Sequence, residues 1–298
     1  MAIELLDHQF ELLGENADEG VAFGIGLGVS CDASGFDPGS NDWLIQDQAD
    51  PFSGATRMGR DVRQGSTFTW SLHVNTVDEE TALDALDELA DAWSPDNLSG
   101  GDIMVLRYKV GGRTRRVYGR PRRFAQSPDN RILSGMMPVT ADFKRVDPLF
   151  YDDSPESITL GVAYESEGGF IFPVTFPVMT LPGGFHPGET FVSGRRRTWP
   201  IIRLDGPLTS PQIQTDDWLL NMPSLTLNEG HYVEIDTRPW KRTIMLDGTS
   251  SIPGAVSVKT RLRDLSLSPG HQSFGFRAIS GTGTGSATIS WYPAYASL

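Results

Sequence analysis

Residues 198–213 read TWPIIRLDGPLTSPQI, and residues 227–238 read LNEGHYVEIDTR. Two short apolar runs in them, Pro200–Leu204 and Tyr232–Ile235, have the composition of strands. Gly206-Pro207, Ser210-Pro211 and Asn228-Glu229-Gly230 punctuate them as turns. Arg242–Asp247, Val256–Leu262, Gln272–Ala278 and Ser286–Trp291 are expected to be further strands. No stretch beyond residue 155 has helical periodicity. Short strands at this spacing predict a β-sandwich or jelly roll. Gly168–Pro200 holds 11 Gly or Pro in 33 residues, including FPVTFPV at 172–178. That run is expected to be extended or an edge strand, since proline cannot donate to a central ladder.

The bulk numbers fit a two-domain, turn-rich, mainly β chain. At 298 residues it is longer than one typical domain. Gly and Pro total 52, high for turns but below the level of disorder. The net charge of −13 argues against nonspecific nucleic-acid binding over the whole surface. The one cysteine, Cys31, reads as a small buried apolar residue, because no histidine forms a pairing motif with it. No apolar run approaches the ~20 residues of a membrane span. The start, MAIELLDHQFELL, lacks the basic region and cleavage site of a signal peptide, so synthesis in a cytosol is expected.

The first half carries the best-defined local signals. Ile3–Leu13 reads as one or two short strands. In VAFGIGLGV (21–29) the glycines take alternate places. As one strand this would put Gly24, Gly26 and Gly28 on one face, open to a second backbone, and Phe23, Ile25, Leu27 and Val29 on the other. A phosphate-binding loop would need G-x-G-x-x-G ahead of a helix, and this spacing departs from it. Cys31–Arg63 is polar, with Asp32, Asp37, Asp42, Asp47, Asp50 and Asp61 dispersed in no calcium-binding pattern. A loop of this length is often functional, and contact with a neighbouring molecule is its expected use. In STFTWSLHV (66–74), Phe68, Trp70, Leu72 and Val74 share one face of a strand. Thr76 as N-cap with Glu79 reaching back predicts a helix over Asp78–Trp93. Its apolar stripe is Ala82, Leu83, Leu86, Leu89, Ala90 and Trp93, its wet face Asp84, Asp87, Glu88 and Asp91, and Ser94-Pro95 stops it.

Ile103–Arg123 predicts a β-hairpin turning at Gly111-Gly112. Residues 107–123 contain Arg107, Lys109, Arg113, Arg115, Arg116, Arg120, Arg122 and Arg123 and no acid. Taking those eight from the 25 basic residues leaves 17 against 38 acids, a net −21 elsewhere. The chain therefore reads as an acidic body with one cationic ribbon, suited to head-to-tail contact with the acidic face of a second copy or to DNA. Met104, Leu106, Tyr108 and Val110 would pack on the protein's own sheet and leave the arginines for the neighbour. Reversing Arg113, Arg115 and Arg116 to Glu is then expected to weaken assembly without unfolding the monomer. Ile132–Val146 reads as one or two more strands, closing at DPLFY (147–151), and Asp152-Asp153-Ser154-Pro155 is the expected domain boundary. The domains are thus 1–153 (α+β, one main helix, basic hairpin) and 156–298 (β-sandwich, folding on its own).

The 198–213 and 227–238 stretches resemble the C-terminal domain of siphophage distal tail proteins, the ring-forming baseplate hubs also called minor tail proteins. There a "wP-i-i-G-p…P-i" strand pair leads to an "l…G…i-D-t" hairpin. The strand, helix, basic hairpin and closing DPLFY resemble that family's N-terminal domain more weakly. The resemblance implies a galectin-like C-terminal sandwich and a structural virion protein of a long non-contractile tail. It implies a homo-oligomeric ring of six copies, joined through the N-terminal half, at the distal tail tip. Implied partners are the tail tube protein, a tail-tip hub or tail-associated protein and the tape measure protein, with DNA passing through but not specifically bound. It implies no membrane insertion.

Two other function classes compete with this one. No H-E-x-x-H, G-x-S-x-G, P-loop or C-x-x-C occurs, so no catalytic residue, metal or cofactor is expected. Adjacent acids such as Asp216-Asp217 could form half of a glycosidase pair only if a second carboxyl stood at the right distance. Carbohydrate binding by the C-terminal domain as a tail-tip module is the alternative, with Trp199, Trp218, Trp240 and Trp291 all in that half.

Overall fold

The computed structural model describes every residue except 1–2, 16, 18–19, 32, 41–42, 95, 97, 128–132, 163–185 and 280–283. The FPVTFPV run and Pro95 therefore lie outside the described residues. The chain is mostly strand, and it divides into two compact units, Met1–Asp153 with Tyr295–Leu298, and Ser154–Ala294. Tyr295–Leu298 belong to the first unit, whereas the sequence reading placed them in the second.

In the first unit the strands are β1 (Gln9–Gly14), β2 (Val21–Gly24), β3 (Val29–Ser30), β4 (Phe36–Asp37), β5 (Trp43–Leu44), β6 (Gln48–Ala49), β7 (Thr56–Arg57), β8 (Val62–Arg63) and β9 (Thr67–Asn75). Helix α1 (Glu79–Trp93) follows, then β10 (Met104–Val110), β11 (Arg113–Gln126), β12 (Met136–Arg145) and β13 (Phe150–Asp152). The main sheet runs β2-β1-β10-β11-β12-β9-β3. Its two end strands, β2 and β3, are consecutive in the chain, so the sheet curls round until its ends nearly meet. This overturns the single-strand reading of 21–29. Gly24 and Gly26 have φ of +123° and +82°, values suited to a turn. A Cβ on Gly24 would lie 2.5 Å from the His8 carbonyl, so the close backbone approach is real at that one glycine.

The core lies inside the curl. Phe68, Trp70, Leu72 and Val74 point into it from β9, as their alternation requires. Helix α1 covers it with Ala82, Leu86, Leu89 and Trp93. The Trp93 ring stands edge-on to Phe23 and Trp70, with centroids 5.6 Å from each, and its Nε1 donates to the Asp142 carbonyl at 3.1 Å. The acidic face is solvated as expected, but Leu83 is exposed. The N-cap is Asp78, whose carboxylate accepts from Thr81 N at 2.8 Å. Thr76 stands two residues upstream, its N–H donating to the Gly135 carbonyl and its hydroxyl to the Asp78 carbonyl at 3.0 Å, so it supports the cap without being it.

The second unit contains β14 (Glu156–Gly161), β15 (His186–Val192), β16 (Ile201–Asp205), β17 (Leu208–Gln214), β18 (Leu219–Asn221), β19 (Thr226–Leu227) and β20 (Tyr232–Asp236). It continues with β21 (Thr243–Leu246), β22 (Ser250–Ser251), β23 (Gly270–Ile279) and β24 (Ser286–Trp291); β25 (Ala294–Tyr295) marks the return to the first unit. One sheet is ordered β14-β24-β16-β20-β21-β22, the other β15-β23-β17-β18 with β19 on β17. Ile202, Leu204, Val233, Ile235, Ile289 and Trp291 from the first share a core with Ile213, Leu220, Phe274 and Phe276 from the second. That is a β-sandwich.

Two segments depart from the structure expected of them. Ser210-Pro211 is inside β17 and not a turn. It sits where the register with β23 shifts between Thr209 and Gln212, an irregularity that tolerates a residue with no N–H to give. Val256–Leu262 is not a strand; single 3-10 turns at Pro253–Ala255 and Leu262–Asp264 flank it.

Candidate functional site: a charge knot and an exposed arm

The eight cations of the hairpin do not form one outward ribbon. Arg107 and Arg116 are directly opposed across the β10–β11 ladder, an arrangement that like charges disfavour. Asp153 resolves it. Its carboxylate accepts from Arg107 Nε at 3.0 Å and Nη2 at 2.7 Å, and from Arg116 Nε at 3.1 Å and Nη2 at 2.7 Å. Glu11, fully buried on β1, takes Arg107 Nη1 on the other side. Arg115, itself buried, pairs with Asp152 at 2.7 Å and lies 3.8 Å over the Tyr295 ring. Burial alone would raise the Asp153 carboxyl, but the Arg107 and Arg116 guanidiniums outweigh it and hold it below the ordinary range.

Two more cations have internal carbonyl partners. Lys109 Nζ donates to Leu5 O at 3.0 Å, and Arg120 donates to Asp102 O and Ser99 O. What remains outward is Arg113 beside the turn and the Arg122-Arg123 pair, all exposed. The pair's position follows from Pro121. The β11–β12 register shifts between Pro121 and Phe124, and such a bulge re-aims the residues it contains. The expectation that the arginines as a set are left for a neighbour is therefore corrected for Arg107 and Arg115, which are buried. Val105, Tyr118 and Tyr151 are buried as well, so the hairpin is covered on both faces and its charges had to find partners inside.

The Cys31–Arg63 segment is not a featureless loop. Beyond β4, two short antiparallel pairings, β5 with β8 and β6 with β7, make it a hairpin arm. Every residue from Trp43 to Val62 is exposed. Among them Ile45, Phe52 and Met58 are 62%, 97% and 75% exposed, with Trp43, Leu44 and Val62 alongside. The tip is shaped by Asp50, whose carboxylate accepts from Phe52 N at 2.9 Å and Ser53 Oγ at 2.6 Å. Asp50 is thus a turn former, while Asp47 ties the two legs together by accepting from Gly59 N at 2.9 Å. Sequence reading missed the arm's apolar load because those residues follow no single periodicity.

Among the described residues, no catalytic constellation forms around the remaining candidates. Cys31 is buried. Asp216 and Asp217 are exposed in a turn, with Asp217 accepting from Ser268 Oγ at 3.3 Å. The Asp236-Thr-Arg238 segment is structural: buried Arg238 pairs with Asp236, and Thr237 Oγ1 donates to the Pro200 carbonyl at 2.7 Å. Trp218 and Trp291 are core, while Trp199 and Trp240 are half-buried. Among the described residues no group of His, Cys, Asp and Glu is placed to hold a metal, and no helix is long and apolar enough to cross a membrane.

The fold has solved counterparts. It is similar to the SPP1 Dit (gp 19.1) protein, described as a paradigm of hub adsorption apparatus in Gram-positive infecting phages. The TM-score is 0.53 at 12% identity, covering 96% of this chain and 98% of that one. It is similar also to a chain of the phage P2 baseplate in its activated conformation. With calcium the TM-score is 0.57 at 11% identity, covering 95% and 97%; with strontium it is 0.55 at 9%, with the same coverage. No protein-family model matches the chain, and no curated protein matches it by sequence. The shared property is the fold, along nearly the whole of each chain.

Proposed function

We propose that the protein is a structural hub of a phage tail. It would form a closed homo-oligomeric ring, six copies by family resemblance, at the distal end of a long non-contractile tail. The ring would join the tail tube protein to tail-tip and host-recognition proteins, with the tape measure protein above it and DNA passing through its centre without specific binding. The observation that carries this reading is the arm. A run of twenty consecutive exposed residues, Trp43 to Val62, that includes six large apolar side chains needs a covering partner. A second copy of the chain is that partner here, and each leg of about ten residues can reach at most ~35 Å, far enough to lie along a neighbour. Arg113, Arg122 and Arg123 add register against an acidic neighbour, since exposed ion pairs contribute only ~0–1 kcal/mol each. The test is Ile45→Asp with Phe52→Asp, examined by light scattering and negative-stain imaging. The wild type is expected to form open-centred rings and the variant folded monomers. A wild type that stays monomeric at high concentration, alone and with tail partners, would end the ring reading.

One observation favours carbohydrate binding as a second reading. On the outer face of the β15-β23-β17-β18 sheet, exposed Phe191 stands edge-on to His271 at 5.3 Å. Glu189 and Ser273 are paired two residues along on the same face. An exposed ring beside planar hydrogen-bonding groups is a surface that suits a sugar. Glycan arrays with the intact protein and Phe191→Ala decide it: binding that is lost with the ring supports the reading, and no binding removes it.

A further inference from the structure

The chain leaves the first unit at Asp153 and comes back to it at Tyr295. On the first unit's side, both connectors meet one buried side chain. Arg115 Nη1 donates to Asp152 Oδ2 at 2.7 Å, and the same guanidinium lies 3.8 Å over the Tyr295 ring. Arg115 is only 6% exposed, so its end of both contacts is shielded from water, while the Asp152 side chain is 35% exposed. The outgoing connector is fixed further by Arg116 and Arg107 on Asp153 and by pairing of Arg115 and Arg116 with Asp152 and Tyr151. The returning connector has a second anchor. Arg63 Nη2 donates to the Ala296 carbonyl at 2.8 Å, and Arg63 is the last residue of β8, the root of the arm. Arm root, returning connector and outgoing connector are therefore linked in series: Arg63, Ala296, Tyr295, Arg115, Asp152.

We propose that these three segments form one cooperative joint, opening and closing together, so that a change at the arm root is felt at both connectors of the second unit. The physical basis is that Tyr295 and Asp152 share one guanidinium. Losing the returning strand uncovers Arg115 to water and weakens its hold on the outgoing one. Contiguous elements that share their stabilising contacts open as a unit. The joint is independent of the hub reading, because it needs only the isolated chain.

The experiment is amide hydrogen exchange on the full-length monomer, with Ile45→Asp and Phe52→Asp in every sample to keep it unassembled. Tyr295→Leu keeps apolar packing but removes the ring that the cation faces. It is expected to raise exchange of Tyr295–Leu298, of Phe150–Asp153 and of Val62–Arg63 together, by about tenfold, equivalent to about 1.4 kcal/mol. Arg115→Met keeps the stem and removes the charge, and should do the same. Protection of β9 and β12 is the control for folding. If Tyr295→Leu loosens only Tyr295–Leu298 and leaves the other two segments at wild-type rates, the segments open independently and the joint does not exist. If Arg115→Met costs β12 its protection, the Tyr295→Leu result alone decides.

Discussion

Replacing Asp153 by Asn would leave the shape of the charge knot almost intact and remove the one charge that lets Arg107 and Arg116 face each other. The side chains of Asp153, Arg107 and Arg116 are 15%, 10% and 17% exposed. Breaking a buried ion pair by removing one partner costs about 3–5 kcal/mol. Two contacts survive and argue for the lower end: Arg107 keeps Glu11, and Arg116 Nη2 keeps the backbone carbonyl of residue 153 at 3.2 Å. The expected loss at neutral pH is therefore about 3 kcal/mol. It is to be read from urea unfolding of the first unit, followed by exchange protection of β10 and β12 so that the second unit does not contribute. The pH dependence has a fixed sign. The Asp153 carboxyl is held below its ordinary value of 3.8. Its stabilisation is therefore fully present above that value and lost as pH falls through the lower folded value. The gap between wild type and Asp153→Asn should be constant from neutrality down to about pH 4 and shrink only below it. A gap under about 1 kcal/mol at pH 7, the worth of an exposed pair, or one that closes between pH 7 and 5, would refute the buried-knot argument.

Three other outcomes are expected. Leu86→Ala should cost about 2–5 kcal/mol by cavity formation, while Leu83→Ala should stay within ~0.5 kcal/mol, both measured by the same unfolding assay; the reverse order would mean that the helix presents its other face. Gly24→Ala should lower the thermal midpoint and expose β1 and β2 amides, because φ is +123° and a Cβ would collide with the His8 carbonyl; an unchanged midpoint would contradict the turn geometry. Residues 154–294 expressed alone should give a β circular dichroism spectrum and a cooperative melt, and a disordered fragment would mean that its core depends on the first unit.

How much of this the sequence disclosed depends on the range of the interaction. Strand β9 and the buried stripe of α1 were legible because alternation and three-to-four spacing are local consequences of backbone geometry. The N-cap was misplaced by two residues because Thr76 and Asp78 are both good caps, and only the sheet contact of Thr76 at Gly135 decides between them. The glycine run misled because alternation suits a strand and a tight turn equally, and φ alone separates them. The charge knot was illegible for a different reason. Glu11 stands 96 residues from Arg107, and Asp153 stands 46 from Arg107 and 37 from Arg116. No local window contains the partners, so the cations read as free. The arm fell between these cases: its length and turn content marked it as unusual, but its exposed apolar residues are scattered.

The return of Tyr295–Leu298 to the first unit has a consequence for the order of synthesis. A ribosome delivers residues from the N-terminus at about 5–20 per second. Tyr295 therefore emerges only after every residue of the second unit has been made. Until then Arg115 has no ring over it and Arg63 has no Ala296 carbonyl to hold. The root of the arm therefore gains its Ala296 fastening only after the second unit has been translated, and a chain that stops short of Ala296 carries the arm without that one hydrogen bond.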